Sequence, residues 1–234
     1  MTIEWTIKSA SNHIGGLSTP SKMPSFGTSL PAKHCKVGSK LNEVEGTTCS
    51  GCYALKGAYA WGNVQDALER RFNILMECEH DESARSNWVG AFAFLLNTRH
   101  ALQSKRKKKG AVDHAFFRWH DSGDVQGLFH LEMIAEVAMS TPNVQHWLPT
   151  RELAMVKQYI AKHGSFPSNL TVRLSAAKVN TAAPSIDGTV GSSVHTGDIT
   201  WGAQSCIAYQ QEGECRDCRA CWDPNVKEIS YPKH

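Results

Sequence analysis

The alternation of strand and helix patterns in the centre of the chain constrains its fold more than any other feature. Short, bulky apolar runs predict strands at residues 114–119, 144–148 and 170–175. Apolar residues at helical spacing predict helices between them, at 127–140 and 152–163. Strands that alternate with helices form βαβ units, in which the strands are parallel. The sequence therefore predicts an α/β fold built on a parallel sheet.

Polar side chains lie at the carboxyl ends of these three strands. They are Asp121, Ser122, Asp124, Arg151, Arg173 and Ser175. In parallel sheets, ligand-binding groups collect at the carboxyl ends of the strands. A helix cap or a solvated loop explains any one of these residues equally well. Three successive polar strand ends, however, indicate a binding site at that edge of the sheet.

The flanking regions are less regular. Two further helices are predicted, at residues 64–79 and 82–104, whereas residues 1–63 and 176–205 contain many small and polar residues. The basic run at 105–109 is interpreted as a solvated loop. The net charge of +3 does not indicate a nucleic-acid partner, because binding a polyanion requires basic residues concentrated on one face.

The compartment determines how the eight cysteines are interpreted. Residues 1–16 lack the basic start and apolar run of a signal peptide, and no apolar stretch approaches the ~18 residues that cross a bilayer. We therefore expect a cytoplasmic protein that does not enter the membrane. Thiols are reduced there, so closely spaced cysteines indicate metal ligands rather than disulfides.

Four cysteines form a group near the C-terminus. They are Cys206, Cys215, Cys218 and Cys221. The last three form a CxxCxxC run, which is typical of [4Fe–4S] sites in ferredoxins. Four cysteines also suit a structural zinc site, although such sites more often use two separated CxxC pairs. We predict a closed [4Fe–4S] site, with zinc as the alternative.

A second group contains three cysteines, Cys35, Cys49 and Cys52. A [4Fe–4S] cluster held by three thiolates leaves one iron open to a substrate, a cofactor or an unusual fourth ligand. His34 is a candidate fourth ligand, and a zinc site completed by His34 is the main alternative. Cys78 lies within a helical pattern and has no cysteine neighbour in the sequence, which predicts a buried core thiol.

Several ordered motifs resemble those of the bacteriophage gene-product-88 family. They are SFGTSLPA at 25–32, Cys35, CSGCYA at 49–54, FRWHDSGD at 117–124, WLPTR at 147–151 and RLSA at 173–176. The resemblance runs from about residue 25 to residue 222. It implies an iron–sulfur protein made in a phage-infected host cell.

The chain also resembles, more distantly, the radical S-adenosylmethionine (SAM) enzymes, especially the branch that contains spore photoproduct lyase. The resemblance implies a partial (βα)6 TIM-like barrel over residues 1–205 and a cysteine-rich C-terminal extension over 206–234. The cofactor-binding residues that it implies are Ser122, Gly123, Asp124, Arg151, Arg173 and Ser175. Those enzymes carry a CxxxCxxC motif, whereas thirteen residues separate Cys35 from Cys49 here.

Three functions remain open from the sequence. The first is a compact radical-SAM-like enzyme that binds SAM at the three-cysteine cluster. The second is a non-catalytic or electron-transfer iron–sulfur protein that works with a redox partner and does not use SAM. The third is a zinc-stabilised binding module, in which the basic run at 105–109 contacts nucleic acid.

Overall fold

The computed structural model describes residues 3–20, 22–104 and 113–233. Its described part is an α/β fold with one seven-stranded sheet in which every neighbouring pair is parallel. The strands are β1 Gly27–Thr28, β2 Phe116–Trp119, β3 Gln145–Thr150, β4 Leu170–Ser175, β5 Val190–His195, β6 Gln204–Ser205 and β7 Glu228–Pro232. The α-helices are α1 Ile7–His13, α2 Lys36–Asn42, α3 Gly62–Glu77, α4 Glu82–Ser104, α5 Leu128–Ser140 and α6 Leu153–His163. The predicted α/β class and parallel sheet are confirmed.

The order of the strands differs from that of the predicted barrel. Strands β1 to β5 lie side by side in chain order, as in a (βα)6 unit. The order then reverses, because β7 pairs with β5 and the two-residue β6 lies outside β7. The described sheet is open, with β1 and β6 at its edges. Strand β7 falls within the predicted C-terminal segment 206–234. It pairs with β5 and β6, so this segment belongs to the same sheet as residues 27–205.

The two faces of the sheet have different coverings. On one face, Phe117, Leu148, Val172 and Leu174 join apolar residues of α4, α5 and α6 in one buried cluster. This arrangement follows from the alternation of side chains along a strand. The other face carries Trp147, Thr171 and Arg173, and the Thr171 hydroxyl donates a hydrogen bond of 2.7 Å to the carbonyl oxygen of Trp222. The C-terminal cysteine segment therefore packs on the face opposite the helices.

No helix in the described ranges is long and apolar enough to cross a membrane. The basic run at 105–109 lies outside the described residues.

Candidate functional site

The first cysteine group surrounds the beginning of α2. Cys35 immediately precedes that helix, and Cys52 precedes a short 3-10 helix, Tyr53–Leu55. A β-carbon added at Gly38 would lie 3.6 Å from the Sγ atoms of both Cys35 and Cys49. The two sulfurs are therefore separated by no more than twice that distance. Cys52 lies close enough to interact electrostatically with both thiols, so the three predicted cysteines come together.

The carboxyl end of β2 supplies a buried acid to this group. Asp124 accepts hydrogen bonds from the backbone N–H of Val125 at 2.8 Å, from the Thr150 hydroxyl at 2.6 Å and from the backbone N–H of Arg151 at 2.9 Å. Burial nevertheless raises the pKa of Asp124 to about 6. Its carboxyl group interacts electrostatically with Cys35 and Cys49. The predicted strand-end position of Asp124 thus faces the cysteines.

Arg151, at the end of β3, contacts the same group. Its guanidinium donates a hydrogen bond to the carbonyl oxygen of Ala176, which follows β4, and its charge interacts with the Cys49 thiol. Burial raises the pKa of Cys49, and the Arg151 charge opposes that rise. Burial also raises the pKa of Cys35, and nearby Asp124 adds to the effect. Without a metal these thiols remain protonated at neutral pH, so metal binding would release protons.

The sequence did not single out Glu152, although it fixes the position of α2. Its buried carboxylate accepts a hydrogen bond of 2.9 Å from the backbone N–H of Val37, in the first turn of that helix. The β3 end therefore positions Cys35 through its helix as well as Cys49 through Arg151. The only sequence signal for Glu152 is its place beside Arg151 at a strand end.

Three of the predicted cofactor-binding residues contact other parts of the protein. Ser122 donates a hydrogen bond of 2.9 Å to the carbonyl oxygen of Leu30. Gly123 has a φ of +81°, and a β-carbon there would lie 2.7 Å from the same oxygen. Both residues therefore fix the segment that leads to Cys35. Ser175 lies further along the sheet, where its hydroxyl is 3.1 Å from the hydroxyl of Ser192.

His34 and Cys78 contact residues outside the two cysteine groups. The His34 ring stacks on Phe72 with centroids 4.0 Å apart, and its Nε2 atom lies 3.2 Å from a Glu69 carboxylate oxygen. This ring nitrogen is thus paired with α3 rather than with the cysteines. Cys78 is 1% exposed, and its thiol donates to the Ile74 carbonyl oxygen. The prediction of a buried core thiol is confirmed.

The second cysteine group also comes together. Cys206 interacts electrostatically with Cys218, Cys215 interacts with both of them, and Cys221 interacts with Cys206 and Cys215. The hydroxyl of Tyr231 on β7 lies 3.3 Å from the Cys221 sulfur. Burial raises the pKa of Cys221 to about 12 despite that contact. The four predicted ligands therefore converge beside the last strand.

Arg173 belongs to this second group rather than to the strand ends around the first. Its fully buried side chain donates five hydrogen bonds to main-chain carbonyl oxygens, at 2.8 to 3.0 Å. The acceptors are Ala220, Cys221, Asp223, Val226 and Gly191. A guanidinium has five N–H donors, so none is left for a ligand. Arg173 therefore holds the loop that carries Cys221 against the sheet.

Within the described ranges, no three His, Cys, Asp or Glu side chains are close enough together to hold a single metal ion.

The comparisons with known proteins give one match. A family model described as gene product 88 matches residues 5–224. Neither the curated proteins nor the solved structures contain a match to this chain.

Proposed function

Because the chain belongs to the gene product 88 family, as its sequence motifs predict, we propose that it is an iron–sulfur protein of this phage gene-product family. One [4Fe–4S] cluster would bind Cys35, Cys49 and Cys52. A second would bind Cys206, Cys215, Cys218 and Cys221. The observation that carries the proposal is the convergence of the Cys35 and Cys49 sulfurs over Gly38, where the missing side chain leaves space between them.

The donor chemistry supports a soft, thiophilic centre at both places. Seven cysteines lie in two groups, and burial raises the pKa of five of them. Without a metal, burial keeps these thiols protonated. A bound metal cluster would reverse that preference, because metal coordination favours the thiolate form.

The spacing of the cysteines is also compatible with a cluster. Thiolates that share one zinc ion at about 2.3 Å lie about 3.8 Å from each other in a tetrahedral site. The irons and sulfides of a [4Fe–4S] cluster separate its thiolates by more than this. A cluster site is therefore consistent with cysteines that converge without being close enough for a single ion.

A finer proposal concerns the open position of the first site, where SAM is the candidate ligand. The amino acid part of SAM carries an ammonium and a carboxylate. Beside the cysteines, the Asp124 carboxylate is opposite in charge to the ammonium, and the Arg151 guanidinium is opposite in charge to the carboxylate. The chemistry that the cluster supplies when bound is one-electron reduction. Asp124 and Arg151 would orient the ligand, while Glu152 would hold α2 and Cys35 in place.

The second candidate is an electron-transfer protein that does not use SAM. It is favoured by the hydrogen bonds that the strand-end residues already make with the protein. Asp124 accepts three hydrogen bonds, and the Arg151 guanidinium donates one to the carbonyl oxygen of Ala176. In this case these residues would tune the first cluster rather than bind a ligand.

Anaerobic purification with iron, sulfide and zinc analysis tests the main proposal. We expect about eight irons and eight sulfides per chain. Cys49→Ala should remove about half of both, Cys215→Ala the other half, and both variants should keep the remaining cluster. Cys78→Ala is the matched control and should keep the full content, because Cys78 belongs to neither group.

Two outcomes would contradict the proposal. Zinc without sulfide would support the zinc-stabilised alternative, and loss of all iron in C49A would mean that the cysteines share one site. Adding SAM to the anaerobic protein tests the finer proposal. If SAM neither changes the electron paramagnetic resonance (EPR) spectrum of the reduced protein nor is cleaved, the electron-transfer candidate stands.

A further inference from the structure

The main chain around Cys221 is fixed by contacts with the sheet. The Arg173 Nε–H on β4 donates a hydrogen bond of 2.8 Å to the carbonyl oxygen of Cys221 itself. The next residue, Trp222, is buried, and its indole N–H donates a hydrogen bond of 2.8 Å to the carbonyl oxygen of Phe117 on β2. Its own carbonyl oxygen accepts from the Thr171 hydroxyl on β4. Strands β2 and β4 therefore determine where the Cys221 side chain leaves the main chain.

Tyr231 approaches the same sulfur from β7. Its hydroxyl oxygen lies 3.3 Å from Cys221 Sγ, a hydrogen-bonding distance for sulfur. Tyr231 is paired in register with Val194 of β5, and β7 lies between β5 and β6. The position of Tyr231 is thus set by strand pairing, whereas that of Cys221 is set by the contacts of its loop. The two side chains meet from segments that are fixed separately.

The direction of this hydrogen bond depends on the state of the sulfur. A thiol and a phenol each carry a proton, so either group can donate when no metal is bound. A metal-bound thiolate has no proton, and the hydroxyl is then the donor. A phenol with its ordinary pKa of about 10 keeps its proton at neutral pH. Cluster binding at Cys221 therefore makes Tyr231 a hydrogen-bond donor to the sulfur.

We propose that the Tyr231 hydroxyl donates a hydrogen bond to the cluster-bound Cys221 sulfur and raises the reduction potential of the second cluster. The inference rests on the proposed function, since it requires a cluster on Cys206, Cys215, Cys218 and Cys221. Reduction adds one electron to the cluster and makes its sulfurs more negative, so a hydrogen bond to one of them stabilises the reduced form more than the oxidised form. Removing the donor should therefore lower the potential of this cluster.

Two controls show whether the effect is specific. Tyr231→Phe removes a hydroxyl without changing the net charge, so its effect should be confined to the second cluster, and the first cluster is an internal reference. Tyr209→Phe removes the same atom from the cysteine segment. Tyr209 is 51% exposed, and its hydroxyl accepts a hydrogen bond of 2.7 Å from the Gln210 side chain. The Y209F change should leave both potentials near their original values.

The test is an EPR-monitored redox titration of the full-length, anaerobically purified protein, with dithionite supplying one electron to each cluster through mediators. C49A and C215A assign the two signals. In Y231F, the second cluster should show about a fivefold lower ratio of reduced to oxidised form at a fixed potential, which corresponds to the net contribution of one hydrogen bond. The first cluster should keep its ratio, and the iron and sulfide content should not change.

An unchanged second cluster in Y231F, or equal shifts of both clusters, with iron and sulfide content intact, would overturn the inference. If Y231F does not retain the second cluster, 3-fluorotyrosine at position 231 carries the same test. Its hydroxyl is more acidic and donates a stronger hydrogen bond, so the ratio of reduced to oxidised second cluster should rise, and a ratio that does not rise overturns the inference. A wild-type chain that contains no clusters would instead refute the proposed function, and the inference with it.

Discussion

Arg173 on β4 lies on the face of the sheet that the C-terminal cysteine segment covers. The sequence placed Arg173 among the cofactor-binding strand ends because charged residues there often contact ligands. In the folded chain, the returning segment that contains Cys221 accepts four of the five Arg173 hydrogen bonds, and Gly191 on β5 accepts the fifth. A strand pattern contains no information about which distant segment packs on a face, so this role could not be predicted.

Arg173→Lys should destabilise the protein although it preserves the charge. Lysine has three donors instead of five and no planar fork, so at least two buried carbonyls lose their partners. We expect the free energy of unfolding to fall by about 2–4 kcal/mol, measured by urea unfolding under reducing conditions. Arg216→Lys is the control, because Arg216 is half exposed and its ion pair with Glu212 is 3.8 Å long, so its effect should be below about 0.5 kcal/mol. Equal stability of R173K and wild type would refute the structural role of Arg173.

At the scale of elements, periodicity predicted the central part of the fold. Helices α3 to α6 and strands β2 to β4 lie within a few residues of their predicted positions, because their apolar residues repeat at helical spacing or form short, bulky runs. Helix α2 and strands β5 and β7 were not predicted. Their sequences, KVGSKLN, VGSSVH and EISYP, are short and rich in polar or small residues. Pairing with neighbouring strands, and Glu152 in the case of α2, stabilises them instead.

The candidate site was predictable to a similar extent. Asp124 and Arg151 were predicted to lie at one edge of the sheet, since carboxyl ends of parallel strands share an edge, and that edge lies beside the cysteines. Glu152 and Gly38 were missed because their importance depends on contacts with segments far away in the chain.

Gly38→Ala in α2 tests whether the space between the cysteines is used. Alanine favours a helix over glycine by about 1 kcal/mol, whereas the new β-carbon would lie 3.1 Å from the Cys35 β-carbon, a tight contact. These effects oppose each other, so the metal-free protein should change in stability by less than about 1 kcal/mol. The first cluster, however, should be lost, leaving about four irons per chain.

Gly62→Ala at the beginning of α3 is the control for this change. A β-carbon at Gly62 would meet no atom of the described part of the chain within 4 Å, so full iron content should remain. Iron and sulfide analysis, with thermal unfolding followed by circular dichroism, gives both readouts. Full iron content in G38A would show that the space over Gly38 is not part of a cluster site.

For the whole molecule, buried histidines determine how stability responds to acid. His120 and His146 have pKa values lowered to about 3 by burial, and burial lowers the pKa of His130 well below its usual range. His146 accepts a hydrogen bond of 3.2 Å from the Trp119 indole N–H, whereas neither ring nitrogen of His120 has a partner among the residues that the structure describes. His120 also has a φ of +54°, in the left-handed region. The folded chain therefore keeps three neutral imidazoles in its interior.

We expect stability to fall as the pH decreases from about 7 to 5. Below the usual histidine pKa of about 6.5, the unfolded chain binds a proton on each of these three residues while the folded chain does not, which costs up to about 1.4 kcal/mol per pH unit for each. Asp124 acts in the opposite direction, because its folded pKa is raised to about 6 and the folded chain binds the extra proton. The net slope should be about 3 kcal/mol per pH unit near pH 5.

Urea unfolding of the metal-free, reduced protein at several pH values measures this slope. His120→Asn, which tolerates a left-handed backbone, should reduce the slope by about one histidine's share, and His80→Gln at an exposed position should not change it. A flat dependence between pH 6.5 and 5 would mean that these histidines are protonated in the folded protein.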